Sequence, residues 1–218
     1  MTESPFRVAL TFDAEHPDRP HHLVGAEDRL RERLAELEVR ATYFVQGRWA
    51  EAFPDQARRI GDDGHLVGNH SHFHAQMQLL TEAGIRQDIK MAEDAISSIV
   101  KVDPAPWFRS PFGAGADDPR VQGALEATGY RQVLWNASGD DWDHRKSAQQ
   151  VEDDMVNTAI AHGDGAILLC HTWPSYTHEG LAGAIRRLRA AGATFVTLDQ
   201  LDQDRVPGLP GLPGLPAR

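Results

Sequence analysis

The sequence is poor in cysteine, in basic charge and in long apolar runs. Its one cysteine, Cys170, cannot form an intrachain disulfide, so nothing in the chain calls for an oxidising compartment. Lysine and arginine total 22 against 32 acidic residues, a formal net charge of −10. Charge of that sign repels phosphate backbones and anionic membranes, which argues against nucleic acid and lipid as partners. No apolar run approaches the roughly 20 residues of a membrane span. Met1 to Arg7 carries neither the basic region nor the apolar segment of a signal peptide. Together these absences predict a soluble, cytoplasmic protein.

Hydrophobic residues make up 41% and charged residues 25%, close to the globular average, so the chain can bury a core without staples. Short runs rich in Val, Phe and Leu alternate with segments of helical periodicity, which predicts an α/β fold. Seven strands are expected, at Arg7–Phe12, Ala41–Gln46, His65–Gly68, Trp107–Arg109, Gln132–Trp135, Gly165–Leu169 and Ala193–Thr197, a count that suits a single-domain barrel. Ile85, Ile89, Ala92, Ile96 and Val100 form one apolar stripe on a helix that Thr81 can cap. Further helices are expected over Glu27–Leu37, Trp49–Ile60, Pro119–Thr128, Ser147–Ala161 and Gly180–Ala191. The domain is expected to span 1–204. From 205 to 218 the triplet Gly-Leu-Pro recurs, and proline at every third position rules out helix and central strand, which predicts a flexible tail.

Three of eleven histidines fall in Asn69-His70-Ser71-His72-Phe73-His74, just after an expected strand. On a helical turn His70 and His74, four apart, project from one face and reach one cation, while His72 points elsewhere. Imidazole is the common nitrogen ligand of zinc and related metals, and a catalytic site usually adds a third ligand, often a carboxylate. Asp13 and Glu15 end the first strand and are the natural donors. Arg109, Asp141 and His171 stand at the carboxyl ends of later strands, the face on which barrel active sites collect. Trp142 and Trp173 adjoin these residues and are candidates for substrate contact. Trp107 and Trp135 read as packing residues, His72 and His178 as surface residues, and Cys170 as a small core residue.

In order, Thr11-Phe12-Asp13, His70-Ser71-His72-Phe73-His74, Arg109-Ser110-Pro111-Phe112, Asp141-Trp142 and Leu169-Cys170-His171 resemble the five motifs of the polysaccharide deacetylases, carbohydrate esterase family four. The likeness covers about residues 7 to 200, with connecting phrases at Ala41–Gly47 and Gly64–His70. It implies a distorted (β/α) barrel and a metal-dependent hydrolase that frees an acetyl group from an N-acetylated sugar or small amide. By position it implies Asp13 as general base held by Arg109, and His70 and His74 as metal ligands. Phe112 would offer its backbone N–H to the oxyanion, His171 would be the general acid oriented by Asp141, and Trp142 and Leu169 would line the acetyl pocket.

Two departures stand out. The family commonly has a second aspartate directly after the base; Ala14 occupies that place here, and Glu15 follows it. Glu15 is therefore expected as third ligand, with Asp13 as the substitute and zinc as the metal. In the fourth motif Ser138 stands where an earlier aspartate is usual, and Asp140 is a rival to Asp141. The altered first motif leaves room for a metal hydrolase acting on another C–N bond, such as a cyclic imide or ureide. A non-catalytic sugar-binding protein is disfavoured because a binding pocket needs no acid and base.

Overall fold

Strand β1 (Phe6–Ala14) is buried along almost its whole length, the pattern of a strand covered on both faces in a parallel sheet. The computed structural model describes residues 5–16 and 25–203; the expected Gly-Leu-Pro tail lies outside them. After β1 come α1 (Ala26–Glu36), β2 (Thr42–Val45), α2 (Gly47–Ala52), α3 (Pro54–Asp62), β3 (Leu66–Asn69), α4 (Glu82–Ile99), β4 (Trp107–Phe108), α5 (Pro119–Ala127) and β5 (Arg131–Gln132). Then follow β6 (Ala137–Ser138), α6 (Ala148–His162), β7 (Ala166–His171), α7 (Ser175–Ala190), β8 (Ala193–Val196) and α8 (Leu198–Gln203). This is the α/β fold of (β/α)-barrel class that the alternation predicts. No helix among the described residues is long and apolar enough to cross a membrane.

The chain divides into two compact units, and the division cuts β1 after Phe12 and β2 after Thr42. In the first unit the strand order is β8-β1-β7-β6. There β8 pairs parallel with β1 from Phe6↔Ala193 to Ala9↔Val196, and β6 pairs parallel with β7 at Ala137↔Leu168 and Ser138↔Leu169. Helix α6 packs on α7 and begins with a capping box in which Ser147 and Gln150 satisfy each other's backbone N–H groups.

In the second unit the order is β5-β4-β3-β2, and β4 pairs parallel with both β3 and β5. Thr81 caps α4 by accepting from Gly84 N at 3.1 Å, and the Ile85, Ile89, Ala92 and Ile96 stripe is buried as the spacing predicts. Ile85 and Ile89 share a core cluster with Phe108, Val121, Leu125 and Tyr130, which seats α4 and α5 on β4. Gly68 lets β3 approach β2 closely, since a Cβ there would lie 2.9 Å from the Phe44 ring.

Three expectations are corrected. The single helix foreseen over Trp49–Ile60 is two, because Pro54 lacks an N–H and Phe53 before it turns to φ −129° and ψ 60°. Helix α7 starts at Ser175 rather than Gly180, as Pro174 sets its entry. An eighth strand, β6, is only two residues long, too short for any alternation to reveal.

Candidate active site

Glu15, His70 and His74, all in the second unit, present one ligand atom each, and these atoms lie within 4.8 Å of one another. His70 leaves the end of β3, its N–H bonded to Val45 O at 3.0 Å. Residues 70–74 are not the helical turn that their spacing suggests. They form a loop in which Ser71 and His74 take φ of 63° and 56°. Such left-handed conformations persist only when surroundings hold them, and here they do. Asn69 Oδ1 accepts from Ser71 N at 2.8 Å, Ser71 Oγ from His74 N at 2.9 Å, and Asp88 of α4 from His72 N at 2.8 Å and Phe73 N at 3.1 Å. The loop is thereby pinned so that His70 and His74 face the same Glu15 oxygen.

Arg109 follows β4 directly and is fully buried. Its Nη1 donates to Asp13 Oδ1 at 2.8 Å, while Nε and Nη2 donate to the carbonyls of Val133 at 3.2 Å and Leu134 at 3.3 Å. Its guanidinium carbon lies 4.1 Å from the centre of the Phe44 ring. This spreads the buried charge over a carboxylate, two carbonyls and a π face, the pairing that a buried ion needs. Phe112 adopts φ 59°, and its ring, 63% exposed, meets His74 edge-on with centroids 4.6 Å apart.

In the first unit His171 ends β7. Its Nδ1 lies 2.7 Å from Asp141 Oδ1, and its backbone N donates to Asp141 Oδ2, also at 2.7 Å. Thr177 of α7 donates to Asp141 Oδ2 at 2.5 Å. The rings of Trp142 and Trp173 lie 5.5 Å and 5.7 Å from that of His171. Leu169 is buried in β7 beside Cys170, which is also buried. Asp140 is not a rival for His171, because Lys146 at 3.0 Å and Ser138 at 3.0 Å hold it elsewhere.

The polysaccharide deacetylase family matches residues 1–133. The chain belongs to that family. It is 29% identical over 195 residues to a peptidoglycan N-acetylglucosamine deacetylase of Bacillus cereus, covering 88% of this chain and 66% of the relative. It spans 69%, 66% and 70% of the length of three curated relatives, and 38% of longer ones. The fold superposes with a TM-score of 0.78 and 30% identity on T48 deacetylase solved with substrate, over 91% of this chain and 92% of that one. It also superposes, with a TM-score of 0.81 and 25% identity, on a family pseudoenzyme from Bacillus anthracis, over 94% of this chain and 68% of that one. Family membership alone therefore leaves activity to be argued from the residues.

The residues of this family member fit a divalent cation. His70 Nδ1 lies 2.8 Å from the Arg109 carbonyl, which can only accept, so Nδ1 carries the proton and the neutral ring offers its Nε2 lone pair. That Nε2 stands 3.1 Å from Glu15 Oε2 and 3.6 Å from Asp13 Oδ2. Lone pairs turned toward one another in a buried space require a cation or a proton between them. Without metal the proton serves: burial opposes charge on His70, yet Asp13 and Glu15 outweigh it and raise its pKa above 6.5. His74 goes the other way, as burial lowers its pKa.

Some contributors were invisible to sequence reasoning. His16, with Nε2 3.0 Å from Glu15 Oε1, has no role assigned by the sequence pattern. Thr177 and Asp88 act across 36 and 16 residues of sequence, which no local pattern encodes. His72 is buried rather than at the surface, because Asp88 draws its backbone inward; His178 is partly buried, with Nε2 2.8 Å from Thr172 O.

Proposed function

We propose that this chain is a metal-dependent hydrolase that removes an acetyl or similar acyl group from an N-acetylated sugar. The observation that carries the reading is the convergence of Glu15, His70 and His74 beside an Asp13 held by buried Arg109. Two imidazoles and a carboxylate are a donor set typical of catalytic zinc, with room left for water. Glu15 is the preferred carboxylate ligand, its oxygen being nearer His70 Nε2 than that of Asp13. When bound, the ion supplies Lewis acidity, polarising the amide carbonyl and making water a stronger acid.

The chain's own groups do the rest. Asp13, its other oxygen engaged by Arg109, accepts the proton of the attacking water through Oδ2. The backbone N–H of Phe112 donates to the developing oxyanion, a type of contact whose loss elsewhere costs about 2.7–4 kcal/mol. His171 gives its proton to the departing amine, and Asp141, 2.7 Å from Nδ1, fixes the orientation of the ring. Leu169 and Trp142 are assigned to the acyl group, and Trp173, whose ring lies by that of His171, to substrate contact. The curated relative from Bacillus cereus is named for peptidoglycan N-acetylglucosamine, which makes an N-acetylated glycan the first substrate to try.

The replacement of the usual second aspartate by Ala14-Glu15 favours one further reading, hydrolysis of a different C–N bond in a small cyclic or acyl-amine substrate. Both readings are tested by metal analysis of the purified protein coupled to product detection, using small N-acetylated amines, chitooligosaccharides, peptidoglycan fragments and cyclic imides. Acetate released in a zinc-dependent manner from the sugars supports the proposal. Ring opening without acetate selects the second reading, and protein that holds no divalent ion overturns both.

A further inference from the structure

We propose that His16 is a positioning residue that aims Glu15 at the metal. This rests on Glu15, His70 and His74 being the metal site. A carboxylate only accepts hydrogen bonds, so at 3.0 Å from Glu15 Oε1 the His16 Nε2 carries the proton and donates it. The grip engages Oε1, while Oε2 is the oxygen that meets His70 Nε2 and His74 Nε2. Such a partner is needed here because glutamate has one more torsion than the aspartate usual at this centre, and an unheld carboxylate can swing away or turn both oxygens to the ion.

His16 is itself fixed. Its φ is 58°, a left-handed conformation uncommon for a residue with a side chain. Its backbone N donates to Gln46 Oε1 at 3.0 Å, and Gln46 N donates to Ala14 O at 2.9 Å, so Gln46 clamps the segment on both sides of Glu15. The His16 ring meets the His74 ring edge-on at 4.4 Å between centroids. One histidine thus connects two ligands without belonging to the donor set itself.

The test measures zinc affinity of the full chain by chelator competition, with the visible spectrum of the cobalt(II)-substituted protein as a second readout. His16→Ala is expected to weaken zinc binding about 10–100-fold and to change the cobalt bands. His16→Gln, whose amide N–H can reach the same oxygen, is expected to recover most of the affinity. Unchanged affinity and spectrum in His16→Ala overturn the proposal. Equal loss in both variants overturns it as well, since that marks mere packing against His74. Wild-type protein that fails to bind zinc refutes the metal site itself, an outcome distinct from either.

Discussion

Arg109 Nη1 binds one oxygen of Asp13 at 2.8 Å, and the other oxygen faces His70 Nε2 at 3.6 Å. Asp13, the proposed base, is thus tied to a buried cation on one side and faces a proposed metal ligand on the other. Breaking a buried ion pair from one end strands its partner's charge, at a cost of about 3–5 kcal/mol. Arg109→Met should lose stability on that scale in urea melts and lose deacetylation, because Asp13 is no longer aimed.

Metal retention should separate the ligands from the acid. His70→Ala and His74→Ala should emerge from purification without zinc and without activity. His171→Ala should keep its zinc by elemental analysis while turnover falls about 10²–10⁴-fold, the usual weight of a general acid.

Thr177 donates to the Asp141 oxygen that also receives His171 N. Hydrogen bonds to charged groups contribute roughly 1.5–3 kcal/mol, so Thr177→Val should lower stability by that order. Turnover should fall further than KM changes, since the substitution disturbs the orientation of His171 and leaves the ligands untouched.

Acid should weaken metal binding before it unfolds the protein. Burial lowers the pKa of His70 but Asp13 and Glu15 prevail, so in metal-free protein it sits above 6.5. A folded-state value above the unfolded one stabilises the metal-free fold below pH 6.5, and that gain disappears as pH rises through the raised value. Zinc must displace this proton. Affinity measured against pH should therefore fall about tenfold per unit on the acid side, starting above pH 6.5. Calorimetry in buffers of different ionisation enthalpy should register the released proton.

The positions of most strands along the chain and the residues at their ends were legible because parallel strands bury both faces and therefore read as apolar runs that stop at a polar residue. Asp13, His70, Arg109 and His171 all stand at such stops. The rings of His70 and His74 do lie side by side, but a loop pinned by Asn69, Ser71 and Asp88 takes the place of the helical turn that their spacing suggests. Thr177, Asp88 and His16 carry no local signal because each acts on a partner that only the fold or the backbone turn brings within hydrogen-bond reach. The break at Pro54 is encoded locally, by a residue without an N–H, although the apolar periodicity runs on either side of it.

The clamps at Gln46 and Asp88 bear on any attempt to transplant this centre. Its nitrogen and oxygen donors come from two short peptides, 15 and 70–74, yet neither peptide keeps its bend unaided. A designer who grafts only the donors onto a new scaffold should obtain a slack chelator; one who also carries over these two acceptor side chains should obtain a working cradle.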